Sequence, residues 1–225
     1  MRYGIDWENE YVSYGPWLAE PRDKKYFLGE KILIRQIPGK THLICGYTKE
    51  DFVIDQSAYS LKHITDSSIS YKYALTLLNS KLIFWFFRNE NNEFDDLFPK
   101  IKSGEIKNLP LFNCSFEQQE PCISKSDLML TLSKELLEAS RKFNLESLPK
   151  KLEDWYLHSY FIKELAKKKV KLSLSDEAEW EEYFNTESKK ALELKSKIDA
   201  TDKEIDQMVY KLYELTEEEI KIVEG

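Results

Sequence analysis

The chain has 225 residues, 42% of them hydrophobic and 32% charged, with a net charge of −7 and a mean hydropathy of −0.54. Such a chain can fill a hydrophobic core, but no window reaches the roughly 18–20 consecutive apolar residues that a membrane-spanning helix needs, so a membrane partner is not expected. Its three cysteines, Cys45, Cys114 and Cys122, lack metal-ligand spacing and nothing at Met1 reads as a secretion signal, so a reducing cytoplasm is the expected setting.

The acid is unevenly placed. Residues 1–113 hold as many Lys/Arg as Asp/Glu, and the whole excess of −7 falls in residues 114–225. A neutral half can still present a basic cleft, because a local field attracts phosphate.

In chain order, "KILIRQIPGKTHLICGY" reads as two strands, Lys31 to Ile37 and Thr41 to Tyr47, turning through Pro38-Gly39-Lys40. "DFVIDQSAYSLKHI" reads as a further pair of β-type runs, and "GEIKNLPLF" as a last short strand that Pro110 confines to an edge or an end. Between them "YALTLLNSKLIFWFFR", Tyr73 to Arg88, is apolar on nearly all sides and predicts a buried helix. Its polar interruption, Asn79-Ser80-Lys81, predicts hydrogen bonds that tie the helix to a neighbouring strand.

Beyond about Pro121 the composition turns helical. Leu128, Leu132, Leu136, Ala139 and Phe143 form one stripe, with Ser126 or Asp127 as the cap. "KLEDWYLHSYFIKELAKKK" predicts a second helical segment. From about 176 to 214 Phe184, Ala191, Ile198, Ile205 and Leu212 recur every seven residues, with Glu187, Leu194, Thr201, Met208 and Leu215 as companions, a heptad stripe of the coiled-coil kind. Thr216 to Glu219 fits a capping box that starts a last short helix. The fold class is α+β, a β-rich domain over residues 1–120 with a buried helix, then a mainly helical region over 121–225 for spacing or docking.

Catalytic chemistry is hard to place. Dinucleotide, Walker, zinc-protease and nucleophile-elbow motifs are missing, and His42, His63 and His158 are isolated from one another, so neither a catalytic nor a metal site is expected. Asp95 and Asp96 lie in a polar stretch that reads as a loop. What remains is a set of basic and hydrogen-bonding residues. Arg22, Lys24, Lys25, Lys31, Arg35, Lys40, His42, Lys100, Lys102 and Lys107 are candidates to neutralise phosphates, and Arg35 or Gln36 to read base edges. Lys31 and Arg35 share a strand face.

Several segments in order, "GPWLAEPRDKKYFLGEKILIRQI", "YALTLLNSKLIFWFF" and "FPKIKSGEIKNLPL", resemble the TaqI-like target-recognition domain. The match runs through Trp17, Pro21-Arg22, Lys31-Ile32, Leu77 to Leu82 and Leu109-Pro110, and marks Trp17, Asn79, Ser80 and Pro110 as structural motif residues. The second half is similar to the C-terminal part of type IIG restriction-modification enzymes and their adenine methyltransferase relatives, including the I-D-x(2)-V-Y-x-L-Y-x-L-T-x-E-E segment, where Glu214 replaces the usual Gly.

The resemblance implies a module that chooses the double-stranded DNA sequence at which an adenine-N6 methyltransferase domain of the parent enzyme acts. The methyltransferase motif N-P-P-Y/F, its cofactor loop and a nuclease core are missing, so the chain is expected to need no cofactor. S-adenosylmethionine, and Mg2+ if the parent cleaves, belong to the rest of the enzyme. The chain then reads as a C-terminal piece, with Met1 an introduced start. Two other readings stand beside this one. In the first, the chain is a protein-interaction module or homodimer through the long helix. In the second, it is a small nuclease using Asp95, Asp96 and Glu105.

Overall fold

A computed structural model describes residues 2–6, 11–62, 68–90, 100–142 and 174–225. Their contacts form two compact units, Met1–Leu130 with Thr201–Gly225, and Thr131–Ala200. The segment 151–169, expected to be helical, lies outside the described residues, as do His63, Asp95, Asp96, Phe143 and His158.

In the first unit three antiparallel strands, β1 (Lys31–Arg35), β2 (Cys45–Thr48) and β3 (Ala58–Leu61), lie in the order β2-β1-β3. Ile32 pairs with Tyr47 and Leu61, and Ile34 with Cys45 and Tyr59. The period of two turns Ile32 and Ile34 to the same face, and both are buried. The expected hairpin forms, although its strands end at Arg35 and begin at Cys45. Among the described residues, "DFVIDQSAYSLKHI" supplies one strand rather than two.

Tyr3 bridges to Gly46 on the outer side of β2, donating its N–H to the Cys45 carbonyl at 2.7 Å. A Cβ on Gly46 would meet the Gly4 carbonyl oxygen at 2.9 Å, so only glycine admits this close backbone approach.

The apolar run folds as two helices, α1 (Tyr71–Leu78) and α2 (Lys81–Glu90), rather than one. Asn79 explains the break. Its side-chain carbonyl accepts from the Cys45 N–H at 3.2 Å, while its amide donates to the carbonyls of Cys45 and Leu75, both at 3.1 Å. Ser80 then caps α2, its Oγ accepting from the Ile83 N–H at 3.4 Å. Both residues are 1% exposed, so these bonds replace water that cannot reach them. Helix α1 packs on β2 and β1.

"GEIKNLPLF" is not a strand. It opens with a short helix, α3 (Ser103–Lys107), whose Glu105 carboxylate accepts from the Lys102 N–H at 2.7 Å. Pro110 follows the helix at the surface, and its carbonyl accepts from the Tyr213 hydroxyl.

Helix α4 (Phe116–Lys142) begins ten residues before the expected cap. Ser115 and Gln118 form the start: the Ser115 N–H donates to the Gln118 side-chain oxygen at 3.1 Å and the Gln118 N–H to Ser115 Oγ at 3.4 Å. Ser126 is therefore internal and buried, and Asp127 pairs with Lys72. The buried stripe runs through Gln119, Cys122, Met129, Leu132 and Leu136, leaving Leu128 exposed.

The long helix α5 (Leu174–Leu212) carries the heptad stripe as expected, with Phe184, Ala191, Ile198 and Ile205 all buried. The final turns of α5 belong to the first unit, where Asp202 pairs with Arg2. Its end is a left-handed turn at Glu214 (φ 55), and Thr216 and Glu219 form the expected capping box of α6 (Glu217–Glu224). Helix α6 packs on α2.

Candidate nucleic-acid interface

Two segments anchored beside the edge strand β3 carry exposed cations. Residues Lys24–Tyr26 make one 3₁₀ turn, capped by Asp23, whose carboxylate accepts from the Lys25 N–H at 2.9 Å. This turn is fixed to β3 by Ser60, which donates to the Tyr26 carbonyl at 2.7 Å, and by Lys62, which donates to the Lys25 carbonyl at 2.8 Å. Arg22, Lys24 and Lys25 project there, all exposed.

The second segment is centred on buried Ile101. Its N–H donates to the Gln36 carbonyl and its carbonyl accepts from the Tyr59 hydroxyl, each at 2.9 Å. Lys100 and Lys102 flank this anchor and are exposed, and Arg35 emerges at the adjoining end of β1. Lys40 is exposed on the β1–β2 connection and Lys107 at the end of α3.

Nearby carboxylates turn onto main-chain N–H groups. Asp51 accepts from Gly29 at 2.6 Å, Asp55 from Ser57 at 2.8 Å and Glu105 from Lys102 at 2.7 Å. Hydrogen bonding to Ser57 holds the Asp55 carboxyl below its ordinary range. These three acids close turns, while Arg22, Lys24, Lys100 and Lys102 are exposed. Glu105, named for a nuclease reading, is committed to a helix start, while Asp95 and Asp96 lie outside the described residues.

Three of the candidate contacts from the sequence are turned away from solvent. Lys31 is fully buried, its ammonium donating to the carbonyls of Gly29 (3.0 Å) and Glu50, with the Phe52 ring 5.8 Å away. Burial lowers its pKa, and it serves the fold rather than a phosphate. Gln36 is half-buried and donates to the Tyr59 hydroxyl at 3.3 Å, so its amide is turned inward.

His42 is half-buried with Nδ1 2.8 Å from the Thr41 hydroxyl, and its Nε2 is enclosed without a partner. Burial, then the nearby charges of Arg2 and Lys81, push its pKa down to about 3. It carries no charge at neutral pH to offer a phosphate. Trp17, marked as a structural motif residue, is 68% exposed. Lys62 escapes sequence reasoning, since a lone lysine after a strand gives no signal of the two carbonyls it reaches.

A family model described as a TaqI-like C-terminal specificity domain matches residues 1–111. Residues 1–111 are a TaqI-like specificity domain. The match closes just beyond Pro110, where α3 and its anchor end. A second model, a domain of unknown function (DUF8810), matches residues 115–209, from the cap of α4 through most of α5. Neither the curated proteins nor the solved structures yield a significant match. The basic bracket around β3 thus lies wholly within the specificity domain.

Proposed function

We propose that this chain chooses the DNA sequence at which a restriction-modification enzyme acts, directing adenine-N6 methylation by an S-adenosylmethionine-dependent domain outside this sequence, in the cytoplasm. The observation that carries the reading is the match of residues 1–111 to a specificity domain. The DNA-specificity role follows from that family; adenine as the target follows from the resemblance of the second half to adenine methyltransferase relatives.

The physical demands of the task agree with it. An enzyme that modifies a base must extrude it from the stack, so the duplex has to be gripped by a body that does not deform. The β-sheet and the buried α1, joined through Asn79, supply rigidity, and the cations beside β3 supply contacts to phosphates on which register depends. The acidic excess lies outside this domain, in residues 114–225, where it would repel a duplex and suits contact with protein.

The test is selection of bound duplexes from a random pool by the whole chain at low salt, followed by sequencing. One enriched motif containing an adenine supports the reading, and that adenine is then the expected methylation site. Uniform or absent binding speaks against it.

A further inference from the structure

Trp17 lies at the turn of a closed loop. Its six-membered ring occupies the space in front of Gly15, where a Cβ would stand 2.2–2.6 Å from its outer carbons. The Leu18 N–H donates to the Gly15 carbonyl at 3.1 Å, tightening the turn around the indole. At the base of the loop Tyr14 donates its hydroxyl to the Arg22 carbonyl. The Tyr14 ring meets Phe27 edge-on, with centroids 5.6 Å apart, and Phe27 is buried in the core. The indole is therefore preset by its surroundings yet 68% exposed, an uncommon combination for the largest apolar side chain. The loop's last residue, Arg22, and Lys24 and Lys25 just beyond it are exposed cations, with Asp23 engaged by Lys25 at 3.3 Å and Glu20 as the loop's own acid.

We infer that Trp17 touches the bases of the bound duplex, loop 14–22 presenting its indole while Arg22, Lys24 and Lys25 hold neighbouring phosphates. The inference rests on the specificity-domain reading and assigns it a further contact. A rigid aromatic plane beside a basic turn matches the two faces of nucleic acid: bases offer π-surfaces to stack on or part, and the backbone offers charge. An apolar wedge of this kind favours steps that unstack easily, so Trp17 contributes sequence preference without reading a base edge. Gly15 is part of the device, because a side chain there displaces the indole.

The experiment uses the whole 225-residue chain. Wild type, Trp17→Ala and Trp17→Phe are titrated onto the duplex selected by wild type, at several salt concentrations, and the thermal unfolding of each is recorded. Trp17→Ala is expected to unfold at the wild-type temperature and to bind about ten- to a hundredfold more weakly, the loss of one base–aromatic stack. The dependence on salt should be unchanged, since no charge is removed, and Trp17→Phe should recover most of the affinity. Equal affinity of Trp17→Ala and wild type overturns the inference and leaves the specificity reading standing. A lowered unfolding temperature, with affinity restored on cooling, makes Trp17 a scaffold residue and overturns it as well. If wild type selects no duplex, both readings fall together.

Discussion

Asp206, near the end of α5, accepts a hydrogen bond at 2.9 Å from the backbone N–H of Lys81, the first residue of α2. The two residues are 125 positions apart, and the bond satisfies one of the amides that every helix start leaves without an intrahelical partner. Arg2 stands beside this contact, donating to the Asn79 carbonyl at the end of α1 at 3.0 Å and pairing with Asp202. The α1–α2 break is thus the junction where the N-terminus, the sheet and the returning end of α5 meet.

That junction buries a charge. Asp206 is 4% exposed, and burial outweighs the Lys81 amide and the Lys81 and Arg2 charges, raising its pKa to about 6 from 3.8. A carboxyl whose folded pKa is raised binds a proton more readily in the folded state. Its contribution to stability is therefore full below about pH 3.8 and is lost as pH rises through about 6. Asp206→Asn keeps an acceptor for Lys81 and removes the titration. The gap in unfolding temperature, variant minus wild type, is expected to widen in favour of Asn between pH 4 and 7. Comparing the two proteins cancels the opposite contribution of His42, whose lowered pKa stabilises the fold above its unfolded value and is lost as acid increases. A gap that narrows over this range would mean that the helix start and Arg2 dominate burial.

Asn79 makes the second prediction. Replacing it with Leu leaves the Cys45 N–H buried without its partner, since the Tyr3 bridge serves the Cys45 carbonyl instead. An orphaned buried donor with poorer packing around it costs about 2–4 kcal/mol, readable by chemical denaturation. Because Asn79 is buried and points at the sheet, the sequence preference of the surviving folded protein should stay as in wild type. A stable variant with altered preference would contradict a scaffold role.

Those two residues also mark how far sequence reasoning reaches. A polar pair inside a run of leucines and phenylalanines announces a needed partner, but nothing local says that the partner is Cys45, 34 residues away. The heptad stripe on α5 is legible because its seven-residue spacing repeats four times, from Phe184 to Leu212. The helix at Ser103 is not: five residues are too few for a period, and its shape depends on Glu105 and on the anchoring of Ile101. Lys31 fails for a similar reason, as alternation places it on the same face as Arg35 but cannot show the carbonyls of Gly29 and Glu50 folding over it. Ser115-x-x-Gln118, by contrast, is a readable capping box that the apolar stripe downstream conceals.

Glu214 offers a stabilising change. It holds φ 55 at the end of α5, where the Leu215 N–H bonds the Tyr210 carbonyl at 3.0 Å and the Glu214 N–H the Lys211 carbonyl at 3.2 Å, a Schellman turn. A left-handed conformation costs a non-glycine residue about 1–2 kcal/mol, of which glycine's greater unfolded-state freedom offsets part. Glu214→Gly should therefore stabilise by about 0.5–1 kcal/mol and raise the unfolding temperature by about 1–4 °C. Glycine at Lys211, three residues earlier and inside the helix, should lower it instead.

The basic bracket makes the last prediction, on charge rather than stability. If the Lys24–Tyr26 turn and the Ile101 segment both face phosphate, removing cations from either should weaken binding to all duplexes alike. For every phosphate left without its cation, the plot of log affinity against log salt should also flatten by about one unit of slope. Two multiple variants test the segments separately, Arg22→Ala with Lys24→Ala and Lys25→Ala, and Lys100→Ala with Lys102→Ala. Both sets project from anchors made by main-chain atoms, so unfolding temperatures should stay near wild type. The preferred motif should also be kept, because phosphate contacts carry no base information. Lys31→Met is the informative contrast: it removes one buried cation bonded to two carbonyls, and it should lower stability without changing the salt slope. A flattened slope for Lys31→Met with none for the two surface sets would place the phosphate track elsewhere on the domain.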